Sequence, residues 1–180
     1  LGVPFTIFRY QNVYGAGQSL NNPYTGILSI FSKRLVAGQP INVFEDGLES
    51  RDFVHVRDVA ALTASVLANP ATDGATINVG SGVGTSVLEV AELLRRLYGS
   101  ASEIGVSGDF RIGDIRHNIA DLARARELCG FAPAVSLEDG LAELAAWALA
   151  EIRAGAAGED RYEASLDEMK KMGLMRPGRA

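Results

Sequence analysis

Phe44-Glu45-Asp46-Gly47-Leu48-Glu49-Ser50-Arg51-Asp52-Phe53-Val54-His55-Val56-Arg57-Asp58-Val59-Ala60 is the stretch on which the reading of this chain turns. Its order is a strand, an Asp-Gly turn, and a second strand running straight into a helix start. Asp-Gly supplies the positive φ of a tight turn, so residues 41 to 56 are expected to form a β-hairpin. Arg51 and Asp52 stand between the turn and an apolar β-branched run. A guanidinium fixed there can hold a phosphate through two parallel hydrogen bonds. The plainer reading is a surface hairpin with a charged tip.

Upstream, Val3-Pro4-Phe5-Thr6-Ile7-Phe8-Arg9-Tyr10-Gln11-Asn12-Val13-Tyr14-Gly15-Ala16-Gly17-Gln18 is a near-continuous apolar run that ends in polar residues and a glycine turn. Such runs belong to parallel sheets covered on both faces, whose ligands bind beyond the carboxyl ends of the strands. A strand over residues 3 to 9 is therefore expected, with Arg9, Asn12, Tyr14 and Gln18 where a ligand would be met.

The rest of the chain alternates helix and strand signals. Ile27, Leu28, Phe31 and Leu35 recur at helical spacing, so a helix is expected from Tyr24 to Ala37, ended by Gly38-Gln39-Pro40. A second helix should run from Arg57 to Asn69 with Val59, Leu62, Val66 and Leu67 inward. A strand over 75 to 79 then returns to the same parallel sheet as the first. Ser86-Val87-Leu88-Glu89 is a capping box announcing a helix to Tyr98. Residues 103 to 115 read as extended and broken by glycines. Asp121 should cap a short helix to Leu128, and Ser136 a longer one to Ile152. Beyond Arg153, Gly, Ala and charges predict a loosely held tail with at most a short helix over 163 to 172.

Composition limits the function classes. The 180 residues carry a net charge of −5, which lacks the basic field of a nucleic-acid surface. No apolar run approaches the roughly 18 residues of a membrane span. The single cysteine, Cys129, admits no internal disulfide, and with two histidines it builds no Cys-based zinc site, so no metal is expected. Cys129 reads as a structural thiol, His55 as a structural histidine in an apolar strand, and Trp147 as a packing anchor. Gly80-Ser81-Gly82-Val83-Gly84 follows a strand and precedes a helix, but Thr85 stands where a third fingerprint glycine would fall, so it reads as a turn.

Four motifs, in order, resemble the extended short-chain dehydrogenases, the family of nucleotide-sugar epimerases and dehydratases. They are Arg9-x-x-Asn12-Val13-Tyr14-Gly15, Arg51-Asp52-Phe53-Val54-His55-Val56-x-Asp58-Val59, Ile77-Asn78-Val79-Gly80-Ser81-Gly82, and Arg111-x-Gly113-Asp114-Ile115-Arg116-His117-x-x-Ala120-Asp121. The resemblance implies an α/β fold: the last strands of a Rossmann-like parallel sheet plus a smaller mixed α/β substrate-binding domain. The expected division puts residues 1–20 and 57–80 at the end of the NAD-binding domain and 21–56 and 81–152 in the nucleotide-sugar-binding domain, with 153–180 as tail.

The resemblance also implies site residues. Tyr10 and Gln11 approach the nicotinamide of NAD and the sugar. Asn12 binds the sugar diphosphate. Leu28, Asn42, Val43 and Phe44 flank the nucleotide, the last three largely through backbone groups. Arg51 and Arg111 bind the diphosphate and nearby ribose, with Asp114 as a ribose-side or arginine-orienting carboxylate and Arg116 as a third guanidinium. The alternative for these arginines is surface pairing with Asp52, Asp109, Asp114 or Asp121. Gln11 and Ala16 depart from the family, which often has an aromatic or Ser at the first position and Pro at the second.

Two family features are absent from the sequence. There is no Gly-x-x-Gly-x-x-Gly turn, and the residues four beyond its five tyrosines are Tyr14, Gln18, Leu28, Ser102 and Leu166, so no Tyr-x-x-x-Lys acid/base pair exists. The chain is therefore expected to be the carboxyl-terminal part of a cytoplasmic, homodimeric, NAD-dependent nucleotide-sugar 4-epimerase, inactive by itself. A 4,6-dehydratase and a non-catalytic binding module are the other readings.

Overall fold

The computed structural model describes residues 2–21, 26–156, 158 and 162–178. In chain order its elements are β1 (Ile7–Tyr10), β2 (Asn12–Tyr14), α1 (Ile27–Val36), β3 (Ile41–Val43), β4 (Ser50–His55), α2 (Val56–Leu67), β5 (Thr76–Val79), β6 (Gly84–Ser86) and α3 (Val87–Tyr98). There follow β7 (Ile104–Val106), β8 (Phe110–Arg111), β9 (His117–Asn118), α4 (Ala123–Cys129), α5 (Leu137–Arg153), α6 (Tyr162–Lys171) and β10 (Met175–Arg176). The fold is α/β with parallel pairing, as expected. The expected start of the first helix at Tyr24 lies outside the described residues.

The chain divides into two compact units. The first comprises residues up to Gly15, Ser50–Thr85 and His117–Gly140. In it β1 pairs parallel with β5, Ile7 opposite Thr76 and Tyr10 opposite Val79, so the expected return of the chain to one parallel sheet is present. Strand β2 pairs parallel with β4, Asn12 opposite Phe53, and β4 pairs parallel with β9. The core is Leu62, Ala75, Ile77, Val79, Ala120, Leu122, Ala125 and Phe131, with Phe8, Val59, Val66, Leu128 and the half-buried Cys129 packed against it. Burying such side chains stabilises by about 1.5–3 kcal/mol each.

Two carboxylates tie this unit together. Asp52 is wholly buried. Its Oδ1 accepts from the Ser81 N–H at 2.6 Å and the Ser81 hydroxyl at 2.6 Å, and its Oδ2 accepts from the Gly82 N–H at 3.0 Å and the Ala120 N–H at 3.1 Å. Asp58, on the first turn of α2, accepts from the Ala134 and Val135 N–H groups at 3.0 and 3.2 Å. The glycine turn after β5 therefore aims its amides at a side chain of its own fold. Gly80 is required there, because a Cβ would overlap Asp52 Oδ2 and come 2.7 Å from Ala120 Cβ.

The second unit comprises Ala16–Glu49, Ser86–Arg116 and the chain from Leu141. Helix α3 starts at the expected box, with the Ser86 hydroxyl accepting from the Glu89 N–H at 3.2 Å and Glu89 accepting from the Ser86 N–H at 2.8 Å. Gly99 in the left-handed conformation (φ 59°) ends it. Val90, Ala91 and Leu94 are the buried stripe.

Several expectations are corrected. Residues 41 to 56 form no hairpin: β3 pairs parallel with β7, Ile41 opposite Ile104, while β4 pairs with β2 and β9. A turn is present but it is centred one residue earlier, on Glu45 and Asp46, with Gly47 (φ 77°) in its last position donating to the Phe44 carbonyl at 3.0 Å. Glu45 takes positive φ (46°) as its first central residue, and the strands on either side of the turn pair elsewhere instead of with each other. The run from residue 3 is not one strand covered on both faces, since Ile7 and Tyr10 stay about half exposed at 49% and 50%. Leu67 is exposed (86%), one position round the helix from the Val59, Leu62, Val66 stripe. Leu122 precedes α4 as its cap residue, and Asp121 accepts from the Ala123 N–H at 2.9 Å one position earlier.

Residues 162–176 are not a loose tail, and the short helix expected there is present as α6. Tyr162, Leu166 and Met175 are buried and pack with Ile30, Phe44 and Met169, and β10 pairs antiparallel with β8. A helical spacing of four and three residues (Tyr162, Leu166, Met169) supplies the apolar stripe that a loose tail would lack. The contact boundaries also differ from the expected domains: β4 and residues 117–140 fall with β1 and β5, and 162–176 fall with β3 and β8.

Candidate functional site

The expected site residues divide between the units. In the first unit, Tyr10 and Gln11 stand at the carboxyl end of β1, and Asn12 opens β2. Gln11 donates its backbone N–H to the Val79 carbonyl at 2.9 Å, which seats it beside the end of β5. Its side-chain Oε1 is buried and has no hydrogen-bond partner among the described residues. A buried acceptor in that state can take a further donor.

Asn12 and Arg51 are brought onto neighbouring strands. The β2–β4 register sets Asn12 beside Phe53, and Arg51 lies two residues back on the same side of β4. Arg51 Nη1 donates to its neighbour Ser50's carbonyl at 3.0 Å. Asp52, one candidate for pairing with it, is instead committed to backbone amides as described above. Beside Arg51, the Ser50 hydroxyl and His117 Nδ1 lie 2.8 Å apart, a polar pair that the sequence reading did not single out.

Tyr14 is not a ligand-facing residue. It is 3% exposed, with its ring edge-on to Phe53 and His55 at centroid distances of 6.4 and 5.3 Å. Gly140 accommodates it, since a Cβ there would overlap the phenol. His55 caps α2, its Nδ1 accepting from the Arg57 N–H at 3.3 Å, and so is structural.

In the second unit, Arg111 and Phe44 meet. The Arg111 guanidinium lies 5.4 Å from the Phe44 ring centroid, a cation–π contact. Arg111 is exposed, and among the described residues no carboxylate pairs with it. Its own carbonyl accepts from the Asp114 N–H at 3.3 Å, which turns the chain at Gly113 and brings Asp114 round beside it. Leu28 and Val43 are buried at 3% and 1%, so their side chains are core. The Val43 carbonyl already accepts from the Ser107 N–H at 2.9 Å, and the Asn42 carbonyl from the Tyr162 hydroxyl at 3.2 Å.

Arg116 is committed. Its Nη1 donates to Glu45 at 3.0 Å and its Nη2 to Asp46 at 2.6 Å, a fork that staples the turn after Phe44. Its hydrogen bond to Asp46 raises the guanidinium's pKa, and the same bond holds the Asp46 carboxyl below the ordinary aspartate value. Of the three arginines, Arg116 thus follows the surface-pairing alternative, with partners other than those expected. Gln18, grouped in the sequence with the ligand-facing residues, donates to the Ser29 hydroxyl at 2.7 Å. The residues sequence reading missed are those of α6 and β10. Their only signal was the Tyr162, Leu166, Met169 spacing.

Comparison with known proteins places this arrangement in a lineage. Residues 1–80 match the model of the NAD dependent epimerase/dehydratase family. The chain is 42% identical over 149 residues to the dTDP-L-rhamnose 4-epimerase of Burkholderia thailandensis, covering 83% of this chain and 41% of that protein. It is 39% identical over 133 residues to the UDP-glucose 4-epimerase of Mycolicibacterium smegmatis, covering 73% and 41%. Its fold is similar to the structure of the Thermotoga maritima UDP-glucose 4-epimerase with UDP-glucose (TM-score 0.73, 34% identity, 86% of this chain and 48% of that one). It is similar as well to the Thermus thermophilus UDP-glucose 4-epimerase in complex with NAD (TM-score 0.71, 27% identity, 82% and 47%). The chain spans less than half the length of these relatives. With the parallel strand pairs and the motif residues at their strand ends, these likenesses agree: the chain belongs to the NAD-dependent epimerase/dehydratase family.

Proposed function

We propose that this chain is the nucleotide-sugar-binding, carboxyl-terminal part of an NAD-dependent nucleotide-sugar 4-epimerase that works through a 4-keto sugar. The observation that carries the reading is Arg111: exposed, without a carboxylate partner among the described residues, and stacked on Phe44. Stacking orients a guanidinium while leaving its edge N–H groups for the paired oxygens of a diphosphate. Asp114 then accepts from a ribose hydroxyl, and Phe44 with the backbone around Asn42 borders the base. The commitments of the Asn42 and Val43 carbonyls leave the ring and the remaining backbone groups for that contact. Within the first unit, Arg51 and Asn12 on neighbouring strands offer the donors that a phosphate oxygen takes. Leu28 acts as core beneath the nucleotide.

The residues fit NAD. Gln11 Oε1 is an unsatisfied buried acceptor at the strand end, suited to a carboxamide N–H, and half-exposed Tyr10 borders it. NAD, when bound, accepts a hydride from the sugar and returns it to the other face. The acid/base pair of that reaction is absent from this sequence, so the chain alone is expected to bind and not to turn over. The first relative's name favours a dTDP-deoxysugar, and the solved relative with UDP-glucose a UDP-sugar. A cytoplasmic homodimer belongs to the same proposal and rests on resemblance.

Calorimetry with dTDP- and UDP-sugars tests the reading. Arg111→Ala should weaken binding about tenfold or more, as loss of a charge-assisted bidentate contact does. Trp147→Ala, on α5, should leave it unchanged. Equal affinity of Arg111→Ala and wild type would overturn the assignment.

A further inference from the structure

The segment after residue 161 reaches three of the residues just given to the nucleotide, and by three different means. The Tyr162 hydroxyl donates to the Asn42 carbonyl at 3.2 Å. Tyr162, Leu166 and Met175 bury against Phe44. Strand β10 pairs with β8 so that Met175 stands opposite Arg111 and Arg176 opposite Phe110, and the Ile112 N–H donates to the Leu174 carbonyl at 2.9 Å.

The segment is itself well held. The Arg34 guanidinium lies 4.8 Å from the Tyr162 ring centroid, pairs with Glu163 at 3.1 Å, and donates to the Pro40 carbonyl at 2.7 Å. The Leu174 N–H closes back on the Met169 carbonyl at 2.9 Å, fixing β10 to the end of α6. Gly178 runs against Gly108 so closely that a Cβ on it would meet the Gly108 carbonyl oxygen at 2.5 Å.

The geometry points to a role for this segment in recognition. We propose that Tyr162, Leu166 and Met175 are positioning residues for the nucleotide, with α6 and β10 forming a clamp that sets the spacing of Phe44 and Arg111. The proposal rests on the nucleotide reading above and deepens it. Phe44 follows β3 and Arg111 ends the two-residue β8, with positive φ at Glu45 in the turn after Phe44. Their stacked arrangement needs a common support, and α6 with β10 touches both. Coupling of this kind is reciprocal: a ligand that requires the stacked pair must also stabilise the docked clamp. The clamp acts on the base side of the nucleotide, so its loss should lower affinity for a whole pyrimidine nucleotide more than for bare pyrophosphate.

Hydrogen exchange and calorimetry on the full chain test this together. Without ligand, Tyr162→Ala and Met175→Ala should speed amide exchange at residues 42–46 and 110–112 while leaving 75–82 unchanged. Both variants should bind UDP and dTDP about tenfold more weakly, the scale expected for a truncated buried side chain, and lose less affinity for pyrophosphate than for either nucleotide. Met175→Leu, which keeps the apolar volume, should restore nucleotide binding. In wild type, saturating UDP or dTDP should slow exchange across 162–176. Unchanged nucleotide affinity in both alanine variants would overturn the clamp, as would an equal loss for pyrophosphate. Failure of wild type to bind either nucleotide would overturn the nucleotide reading itself, and that outcome is visible before any variant is made.

Discussion

The wholly buried carboxylate of Asp52 accepts a hydrogen bond from the backbone N–H of Ala120, a residue 68 positions further along the chain. The same side chain takes three more bonds from Ser81 and Gly82, so one aspartate joins β4, the glycine turn after β5 and the approach to α4. Asp52→Ala would leave three backbone amides without an acceptor in the interior. The expected cost is about 3–5 kcal/mol, since each buried donor left unmet costs about 1–3 kcal/mol. Denaturant midpoints for the variant and wild type measure it.

Gly80→Ala probes the same clasp from the other side. Its Cβ has no room between Asp52 Oδ2 and Ala120 Cβ, both held by the clasp itself. Overpacking of this kind costs about 1–3 kcal/mol. Thermal melts of Gly80→Ala and of Gly74→Ala, at a position with open space but positive φ, separate crowding from backbone strain.

Ser86→Ala removes one half of the capping box on α3. A stability loss of about 1 kcal/mol is expected, as for other serine caps. The Ser86 hydroxyl and N–H hold the Glu89 carboxyl below the ordinary glutamate value, the hydroxyl contributing most. In the variant the Glu89 carboxyl should therefore titrate closer to that ordinary value. Carboxyl chemical shifts followed across acid pH check both halves of the statement.

The Arg116 staple should be lost in acid and retained at neutral pH. Asp46 has a folded pKa depressed chiefly by its hydrogen bond to Arg116. A depressed carboxyl contributes its stabilisation above its unfolded pKa and loses it as pH falls through the lower folded value. The turn at 44–47 should thus keep its amide shifts from pH 8 down to the ordinary aspartate range and change only below it. Arg116→Gln should raise the Asp46 pKa and so move that transition up toward the ordinary aspartate range. Both groups are exposed, so high salt should weaken the staple.

What could be read from the sequence was mostly local. The capping box at Ser86, the Ser136 cap and the β1–β5 return each depend on residues within a helix turn or on a short apolar run. The Ser136 hydroxyl accepts from the Asp139 N–H at 3.1 Å, as its position before an apolar helix predicts. Arg51, Arg111 and Asn12 were marked by motif, and the structure adds which of them is uncommitted. The commitments themselves were not legible. Arg116 carries the same side chain as Arg111, and only the neighbouring turn, 70 residues back, separates a stapled guanidinium from one that no carboxylate pairs among the described residues.

By itself, then, the sequence determined the α/β class, the order of most elements, and the residue types that can meet a nucleotide sugar. Periodicity, caps and glycine turns act over a few residues and need no tertiary partner to be expressed. Tertiary structure alone decided that β3 pairs with β7 and not with β4, that Tyr14 faces the core, and that Asp52 serves amides of its own backbone. It also turned residues 162–176 into the support beneath Phe44. These are choices among partners far apart in the chain, each settled by which pairing buries apolar surface while leaving few interior polar groups unmet, and no local pattern encodes that comparison.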